Sequence, residues 1–247
     1  ANLPSTLMMN AIPAMIAGVK NIVLANPRLS GRINPAVMYV AKKCKIKKII
    51  SVGGAQAIGS LAYIQKVDKI FGPGNDFVAR AKREVFGDVG IDSVAGPSEV
   101  MIVAESGCDP EWIAIDLLSQ AEHDEDARVI LVSESLTLIK SVNRFIEKLL
   151  KNLERKNIAK LSVKNNGIAI KVPSILSSVN IIDEIAPEHL QIICKENKKI
   201  VKRIKNAGAI FIGSYTPEAF GDYVAGPSHV LPTSGNARFE SGLSVID

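Results

Sequence analysis

The chain has 247 residues, of which 47% are hydrophobic and 22% charged, and a formal net charge of +5. This balance excludes disordered and collagen-like chains, and the length allows one large domain or two small ones with a real core. Residues 1–18 are apolar, but Pro4 and Pro13 interrupt them and no basic stretch precedes them. They therefore predict neither a secretory signal nor a membrane span.

Short apolar runs alternate with longer helical patterns along the chain, which is typical of a parallel α/β sheet. The candidate strands, in chain order, are Asn21–Leu24, Lys48–Val52, Lys69–Phe71, Val100–Ala104, Arg128–Val132, Gly167–Val172, Leu190–Cys194 and Ala209–Ile212. The candidate helices are Ala11–Ala17, Pro35–Lys42, Ala55–Tyr63, Phe77–Phe86, Pro110–Ala121, Leu136–Arg155 and Asn197–Asn206. We predict an α/β fold with mainly parallel sheets.

Basic residues between Lys140 and Lys160 recur at helical spacing beside Leu149 and Leu153. This pattern predicts the solvated face of one amphipathic helix. A nucleic-acid surface is the alternative, which we do not favour because a series of aromatic residues for base stacking is missing.

Glycine-rich turns follow several candidate strands. They are Gly53-Gly54, Gly72-Pro73-Gly74-Asn75, Gly96-Pro97-Ser98 and Gly226-Pro227-Ser228. Ligands of open α/β sheets bind beyond the carboxyl ends of the strands, so these turns predict binding sites there. The first set of strand–helix units ends near Ser98, which predicts a boundary between residues 1–98 and 99–247.

The three histidines lie beside acids or turns. Imidazole is the commonest metal ligand and a proton shuttle near neutral pH. Gln120 and His123 share one face of a helix end; by its chemistry His123 is the firmer zinc ligand, with a carboxylate as its partner. Asp222 is a candidate metal carboxylate, and His229 is either a ligand or a positioning residue.

Glu188 and His189 follow Pro187, which fixes the backbone, and we expect their side chains to point in different directions. Two proton-transfer groups aimed at different points of one site suit a reaction with two chemical steps. The nearby Cys194 is a conceivable nucleophile, although an Ile-Ile-Cys strand more often buries its sulfur. Three widely spaced cysteines favour reduced thiols over disulfides.

A nucleotide site is indicated weakly by Ser51–Gly59, which combines a strand, paired glycines and a helix start whose N–H groups can face a phosphate. The usual GxGxxG pattern is missing.

Taken together, these segments resemble the histidinol dehydrogenase family. The matching stretches run in the family's order over essentially the whole chain and are Leu3–Met9, Val52–Ile58, Ile70–Asn75, Ala95–Val100, Leu117–His123, Ala186–Leu190, Gly226–Thr233 and Ser241–Val245. The resemblance implies two incomplete Rossmann-like domains, with NAD bound by residues 1–98 and zinc and substrate by residues 99–247. It also implies a cytoplasmic homodimer in which the other subunit completes the metal site, and no nucleic-acid or membrane partner.

The implied activity is the oxidation of L-histidinol to L-histidine through histidinaldehyde with two NAD, the last steps of histidine biosynthesis. His189 resembles the base that takes the hydroxyl proton, and Glu188 resembles the group that activates water onto the aldehyde. Zinc would orient the substrate as a template, held by Gln120, His123 and Asp222, so the family pattern favours Gln120 over a carboxylate. The implied substrate contacts are Ser98, Gln120, His123, His189 and Asp222, and the implied NAD contacts are Gln56 and Asn75.

Parts of the family's pattern fall outside the sequence. A segment with an NAD-contacting tyrosine would precede Ala1, and a tail with a substrate-binding glutamate and a zinc histidine would follow Asp247. The chain starts without Met and stops directly after an apolar run, so we expect both ends to be cut. From these 247 residues alone we expect weak zinc affinity and little turnover.

Other interpretations stay open. A related dehydrogenase acting on another amino alcohol or hydroxy compound would keep the nucleotide-binding half. A zinc hydrolase using His123, Asp222 and Glu188 would activate water at an open metal position. A non-catalytic remnant would bind a nucleotide or associate with a full-length homologue.

Overall fold

The computed structural model describes residues 4–223 and 225–247. Leu3, in the first matching stretch, lies outside the described residues. The chain divides into two compact units: unit 1 is Ala1–Gly96 with Ser228–Val230 and Gly242–Asp247, and unit 2 is Pro97–Pro227 with Leu231–Ser241. The NAD-binding role predicted for residues 1–98 and the zinc- and substrate-binding role predicted for residues 99–247 stay predictions at this point.

Unit 1 is built from two parallel strand pairs with helices between them. Its elements are α1 (Pro4–Ile16), β1 (Val23–Ala25), α2 (Pro35–Lys43), β2 (Lys48–Ile50), α3 (Gly54–Gly59), a π-helical turn (Ser60–Ile64), β3 (Lys69–Ile70), α4 (Asp76–Val85) and β4 (Gly90–Ile91). Strand β1 pairs with β2, and β3 pairs with β4. A core of Ile58, Leu61, Ile70, Val85 and Val89 joins α3 and α4 to the second pair.

Unit 2 contains a five-stranded sheet in the order β7-β6-β5-β8-β9, with every pair parallel. Its elements are β5 (Glu99–Ala104), α5 (Pro110–Ala121), β6 (Arg128–Ser133), α6 (Leu136–Leu149), α7 (Lys156–Asn166), β7 (Gly167–Lys171), α8 (Ser178–Ile185), β8 (His189–Ile193), α9 (Asn197–Val201), β9 (Ala209–Ile212) and α10 (Ala219–Tyr223). The strand order reverses next to β5, which is the doubly wound arrangement.

Helices cover both faces of this sheet, because alternate residues of each strand point to opposite sides. Val100 and Ile102 of β5 pack with Leu117 of α5 and Val142 of α6 in one core. Met101 and Val103 pack with residues of α8 and α9 in the other. Every residue of β5 is buried, which explains the continuous apolar run Val100–Ala104.

The α/β fold with mainly parallel sheets is therefore confirmed. All the predicted strands are present, β9 with the predicted bounds and the others with shifted ends, and β4, α7, α8 and α10 were not predicted. The helix predicted over Leu136–Arg155 is wrong in extent, because α6 ends at Leu149 and α7 begins at Lys156. Leu150 and Leu153 pack against the core from the connecting turn, so the apolar spacing continues where the helix does not.

Helix ends follow local capping chemistry where the sequence provides it. Asp109 accepts hydrogen bonds from the backbone N–H groups of Glu111 and Trp112, so α5 begins at Pro110 as predicted. Within residues 4–223 and 225–247, every helix is too short or too polar to cross a bilayer.

We predict that Ile192→Ala destabilises unit 2 far more than Ile212→Ala, although both remove the same atoms from register partners on β8 and β9. Ile192 is fully buried, whereas Ile212 is 41% exposed. The cavity at position 192 should cost about 2–5 kcal/mol of unfolding free energy, against about 1 kcal/mol or less at position 212. Urea unfolding followed by the fluorescence of Trp112, the only tryptophan, measures both. Equal losses would contradict the burial assigned to β8.

Candidate functional site

The site in unit 2 is organised around the backbone of Glu99, the first residue of β5. The Glu99 N–H donates a 2.8 Å hydrogen bond to Oε2 of Glu188. The Glu99 carbonyl oxygen lies 3.0 Å from Nδ1 of His189. Pairing of β5 with β8 starts only at Val100 and His189. The backbone of Glu99 thus binds the side chains of two consecutive residues at the start of β8.

This contact determines which ring nitrogen of His189 can act as a base. A carbonyl oxygen only accepts hydrogen bonds, so Nδ1 must carry a hydrogen and donate it to Glu99. In the neutral ring, Nε2 then holds the lone pair. His189 is buried, and its orientation is further held by the Phe211 ring, whose centroid is 6.0 Å away.

Glu218 is a site residue that the sequence analysis missed. It is buried just before α10, and its Oε2 lies 3.8 Å from Nε2 of His189. Its Oε1 accepts a 2.8 Å hydrogen bond from the hydroxyl of Ser119 on α5. The only signal in the sequence is its place two residues before Phe220-Gly221-Asp222, because nothing local shows that this segment returns to His189.

The carboxyl group of Glu188 is held mainly in its protonated form at neutral pH. Burial, together with the negative charges of Glu99, Glu218 and Asp222, raises its pKa to about 8, although the hydrogen bond from the Glu99 N–H opposes the shift. Burial also raises the pKa of Glu99, despite the Arg128 guanidinium 3.4 Å from its Oε1. Carboxyl groups crowd this site, which therefore favours a cationic ligand.

Two backbone features bring Glu188 into position. The C-cap of α8 is Ala186, which is buried. Its φ of 50° lies in the left-handed region, an unusual conformation for a residue with a side chain. The helix predicted over Asn197–Asn206 is wrong in extent, because α9 stops at Val201. A Cβ on Gly208 would lie 2.5 Å from the carbonyl oxygen of Glu188, so glycine is needed there for close packing.

Gln120 and His123 lie together at the carboxyl end of α5, as predicted from their spacing. Nε2 of Gln120 is 3.3 Å from Nδ1 of His123. Gln120 is buried, and its Oε1 has no hydrogen-bond partner among the described residues. His123 is exposed. An unsatisfied buried amide oxygen beside an imidazole is a donor set that a bound cation would complete.

Helix α7 holds the loop that follows His123. Arg155, just before α7, donates to the carbonyl oxygen of His123 at 3.3 Å, and Ser162 donates to that of Ala127 at 2.8 Å. Asn166 donates to the carbonyl oxygen of Glu125 at 3.3 Å. The position of His123 therefore depends on a helix that the sequence analysis did not predict.

Asp222 and Ser98 complete the predicted residues of unit 2. Asp222 is exposed on α10, and its charge is close enough to raise the pKa of Glu188. Ser98 is half-buried directly before β5, where its carbonyl oxygen accepts a hydrogen bond from the Arg128 N–H at 3.0 Å. No group of three or more His, Cys, Asp and Glu residues arranged for a metal ion is found in the described part of the chain.

Two expectations about this site are wrong. Glu188 and His189 do not point apart, since Oε2 of Glu188 lies 3.6 Å from Nδ1 of His189. Both side chains contact the backbone of Glu99. The site also lies at the amino ends of β5 and β8, where α5 ends, rather than beyond the carboxyl ends of the strands. Backbone groups of Glu99, at the start of β5, orient these side chains.

The predicted nucleotide contacts lie in unit 1. Gln56 is exposed in the first turn of α3, which starts at Gly54 with φ +67°. Asn75 caps α4, and its Oδ1 accepts a 3.2 Å hydrogen bond from the Val78 N–H. Both follow strands at their carboxyl ends, as expected for this unit. His229 is half-buried in the Ser228–Val230 segment of unit 1.

Cys194 is a poor candidate for a nucleophile. It is buried in the core beside α9, and burial raises its pKa to about 11. A thiol rather than a thiolate is therefore present at neutral pH.

The whole chain, residues 1–247, matches the family model for histidinol dehydrogenase. A histidinol dehydrogenase of Pelagibacter ubique is 54% identical over 250 residues, which are 99% of this chain and 58% of the relative. Histidinol dehydrogenase 1 of Nostoc sp. is 50% identical over 100% of this chain and 58% of its own length. The crystal structure of histidinol dehydrogenase from Elizabethkingia anophelis has a TM-score of 0.94 at 41% identity, over 98% of this chain and 57% of that chain. The chain thus spans less than two thirds of these relatives.

We predict that Glu188→Gln removes part of the pH dependence of stability in the metal-free chain. Glu188 has a pKa raised from 4.5 to about 8, so above pH 4.5 the unfolded chain loses this proton while the folded chain keeps it. Stability contributed by the protonated group is therefore lost as pH rises from 4.5 to about 8 and then levels off. Glutamine still accepts from Glu99 but does not titrate.

Urea unfolding at about pH 5 and about pH 8.5 should show the variant gaining relative to the parent chain at the higher pH. Glu196→Gln is the control, because that side chain is exposed just after β8. Parallel pH profiles for the parent and Glu188→Gln would contradict the raised pKa.

Proposed function

Because this chain belongs to the histidinol dehydrogenase family, we propose that it carries the catalytic pair of a zinc- and NAD-dependent oxidation of L-histidinol to L-histidine through histidinaldehyde. The observation that carries this proposal is the geometry of His189, a buried imidazole with Nδ1 committed to Glu99 and Nε2 directed toward the carboxylate of Glu218. An alcohol oxidation needs a base of this kind to take the hydroxyl proton.

In the first step, Nε2 of His189 accepts the hydroxyl proton of the alcohol. The imidazolium that forms lies 3.8 Å from Oε2 of Glu218, whose negative charge stabilises it. Hydrogen bonding of Nδ1 to Glu99 keeps the ring from turning as its charge changes. NAD supplies the hydride acceptor when it is bound.

In the second step, the ionised form of Glu188 accepts a proton from the water that attacks the aldehyde, and a second NAD would accept the hydride of the hydrate. A base must be able to release and take a proton near the working pH, and a pKa of about 8 meets that condition. Through its hydrogen bond from the Glu99 N–H, Glu188 is held by the same residue whose carbonyl oxygen holds His189. One site can therefore serve the alcohol and aldehyde stages in turn.

The charge of the site supports a cationic substrate. Glu99, Glu188 and Glu218 are buried, and the exposed Asp222 adds to the negative potential. The amino group of histidinol would complement these carboxylates. Ser98, half-buried beside Glu99, is proposed as a further substrate contact.

Gln120, His123 and Asp222 are the residues that would hold zinc in this chain. The unsatisfied buried oxygen of Gln120 next to the His123 ring supports this assignment. Zinc would supply a template that orients the amine and imidazole of the substrate. In the same proposal, Gln56 and Asn75 of unit 1 contact NAD, which agrees with glycine-rich turns that bring backbone close to a ligand. The family also supports a cytoplasmic homodimer that completes the metal site.

We predict that His189→Asn abolishes most turnover. Since the relatives contain further segments, activity is best measured in a chimera in which this chain replaces the matching region of the Pelagibacter ubique relative. NADH formation from histidinol should fall by about 10²–10⁴-fold, because asparagine can donate to Glu99 but cannot accept the proton. Glu218→Gln should cause a smaller loss of kcat. An unaffected rate in His189→Asn would remove that residue from the mechanism, and zinc-dependent hydrolysis without NAD would favour a hydrolase.

We predict that Gln120→Ala and His123→Ala each weaken zinc binding by about tenfold or more, because each removes a ligand atom. Calorimetric titration of the metal-free 247-residue chain with Zn²⁺ measures this without requiring turnover. Glu125→Gln is the control, since this exposed acid lies two residues beyond His123 and would matter only if a neighbouring carboxylate were the partner. Unchanged affinity in Gln120→Ala would contradict the amide ligand.

A further inference from the structure

Unit 1 contains a buried ion pair outside the residues proposed to contact NAD. Lys82 on α4 is only 2% exposed, and its Nζ pairs with Oδ1 of Asp92, which follows β4. The same Nζ donates to the carbonyl oxygens of Gly72 at 2.9 Å and Ser93 at 3.0 Å. All three ammonium hydrogens therefore have acceptors, which is what a buried lysine requires.

Asp92 holds the same loop from its other side. Its Oδ2 accepts a 2.7 Å hydrogen bond from the Gly72 N–H, and its Oδ1 accepts one of 2.6 Å from the Ser93 N–H. The Asp92 N–H in turn donates to the carbonyl oxygen of Ile70 at 3.0 Å and extends the pairing of β3 with β4. Both backbone groups of Gly72 are thus bound by one ion pair.

Gly72 begins the loop Gly72–Asn75, which we call the cap loop because it ends at the residue that caps α4. Gly72 has φ +119°, and a Cβ on Gly74 would lie 2.4 Å from Val78. At its far end, Asn75 uses its side-chain oxygen to cap α4, so its amide nitrogen remains a donor for a ligand. The cap loop is therefore anchored at both ends and has glycine where the backbone demands it.

We infer that Lys82 and Asp92 are positioning residues that hold the cap loop in the conformation that presents Asn75 to NAD. This inference rests on the proposed NAD contact of Asn75. A buried ion pair adds little stability over an apolar pair of similar size, since desolvation offsets the attraction. An apolar pair, however, cannot bind the N–H and the C=O of Gly72, whereas the ion pair binds both.

The test compares the parent chain with Lys82→Met/Asp92→Leu and Lys82→Met/Asp92→Asn. The first variant removes every contact to Gly72, whereas the asparagine of the second can still accept its N–H. The control is Arg80→Met/Glu84→Leu, which removes an exposed ion pair of the same charge from the same helix, with atoms 3.8 Å apart. Urea unfolding, amide hydrogen exchange over residues 72–75 and calorimetric titration with NAD are measured on each.

Lys82→Met/Asp92→Leu should stay folded but exchange its cap-loop amides about tenfold faster or more, because the loop opens locally. Its affinity for NAD should fall by about tenfold or more, since a loosely held contact residue binds poorly. The asparagine variant should lie between it and the parent, and the control should match the parent. This order separates positioning from general stability, which would change exchange throughout unit 1.

Equal NAD affinity in all four proteins would overturn the inference while leaving the proposed NAD site intact. Unchanged exchange in the cap loop of Lys82→Met/Asp92→Leu would also overturn it. If the parent chain and the chimera with the Pelagibacter ubique relative both fail to bind NAD, the proposed function itself is contradicted, and the positioning role falls with it. The two failures are therefore distinguished by the parent measurement.

Discussion

The site of unit 2 depends on the backbone N–H and C=O of Glu99, the first residue of β5. Buried backbone groups must be hydrogen-bonded, and side chains can act as their partners. Here the partners are the side chains of Glu188 and His189. These two hydrogen bonds therefore fix the His189 tautomer and the direction of the Glu188 carboxyl group together. A change that moved β5 against β8 by one residue would lose both.

The same geometry has an electrostatic consequence. Bringing Glu188 to Glu99 places it among other acids, and burial keeps water from screening them. The site gains a carboxyl group that titrates near neutral pH at the expense of stability at high pH. It also favours cationic ligands, and positive charge is the property that a metal ion and an amino alcohol share.

The two units position the residues proposed to contact ligands by different means. In unit 2, backbone groups orient side chains directly. In unit 1, the ion pair of Lys82 and Asp92 holds the cap loop, and the cap loop in turn positions Asn75. Glycines allow close packing in both units, at Gly208 against Glu188 and at Gly74 against Val78.

Sequence alone determined every described strand except β4, the parallel α/β class, the start of α5 at Pro110 and the pairing of Gln120 with His123, because each depends on neighbours within a few residues. Only the tertiary structure decided that Glu218 returns to His189, that Glu188 and His189 converge on Glu99, and that α7 holds the His123 loop. These contacts join residues far apart in the chain, and no local periodicity records them. The break between α6 and α7 was hidden for the same reason, since Leu150 and Leu153 pack against the core, partly buried, from the turn between the two helices.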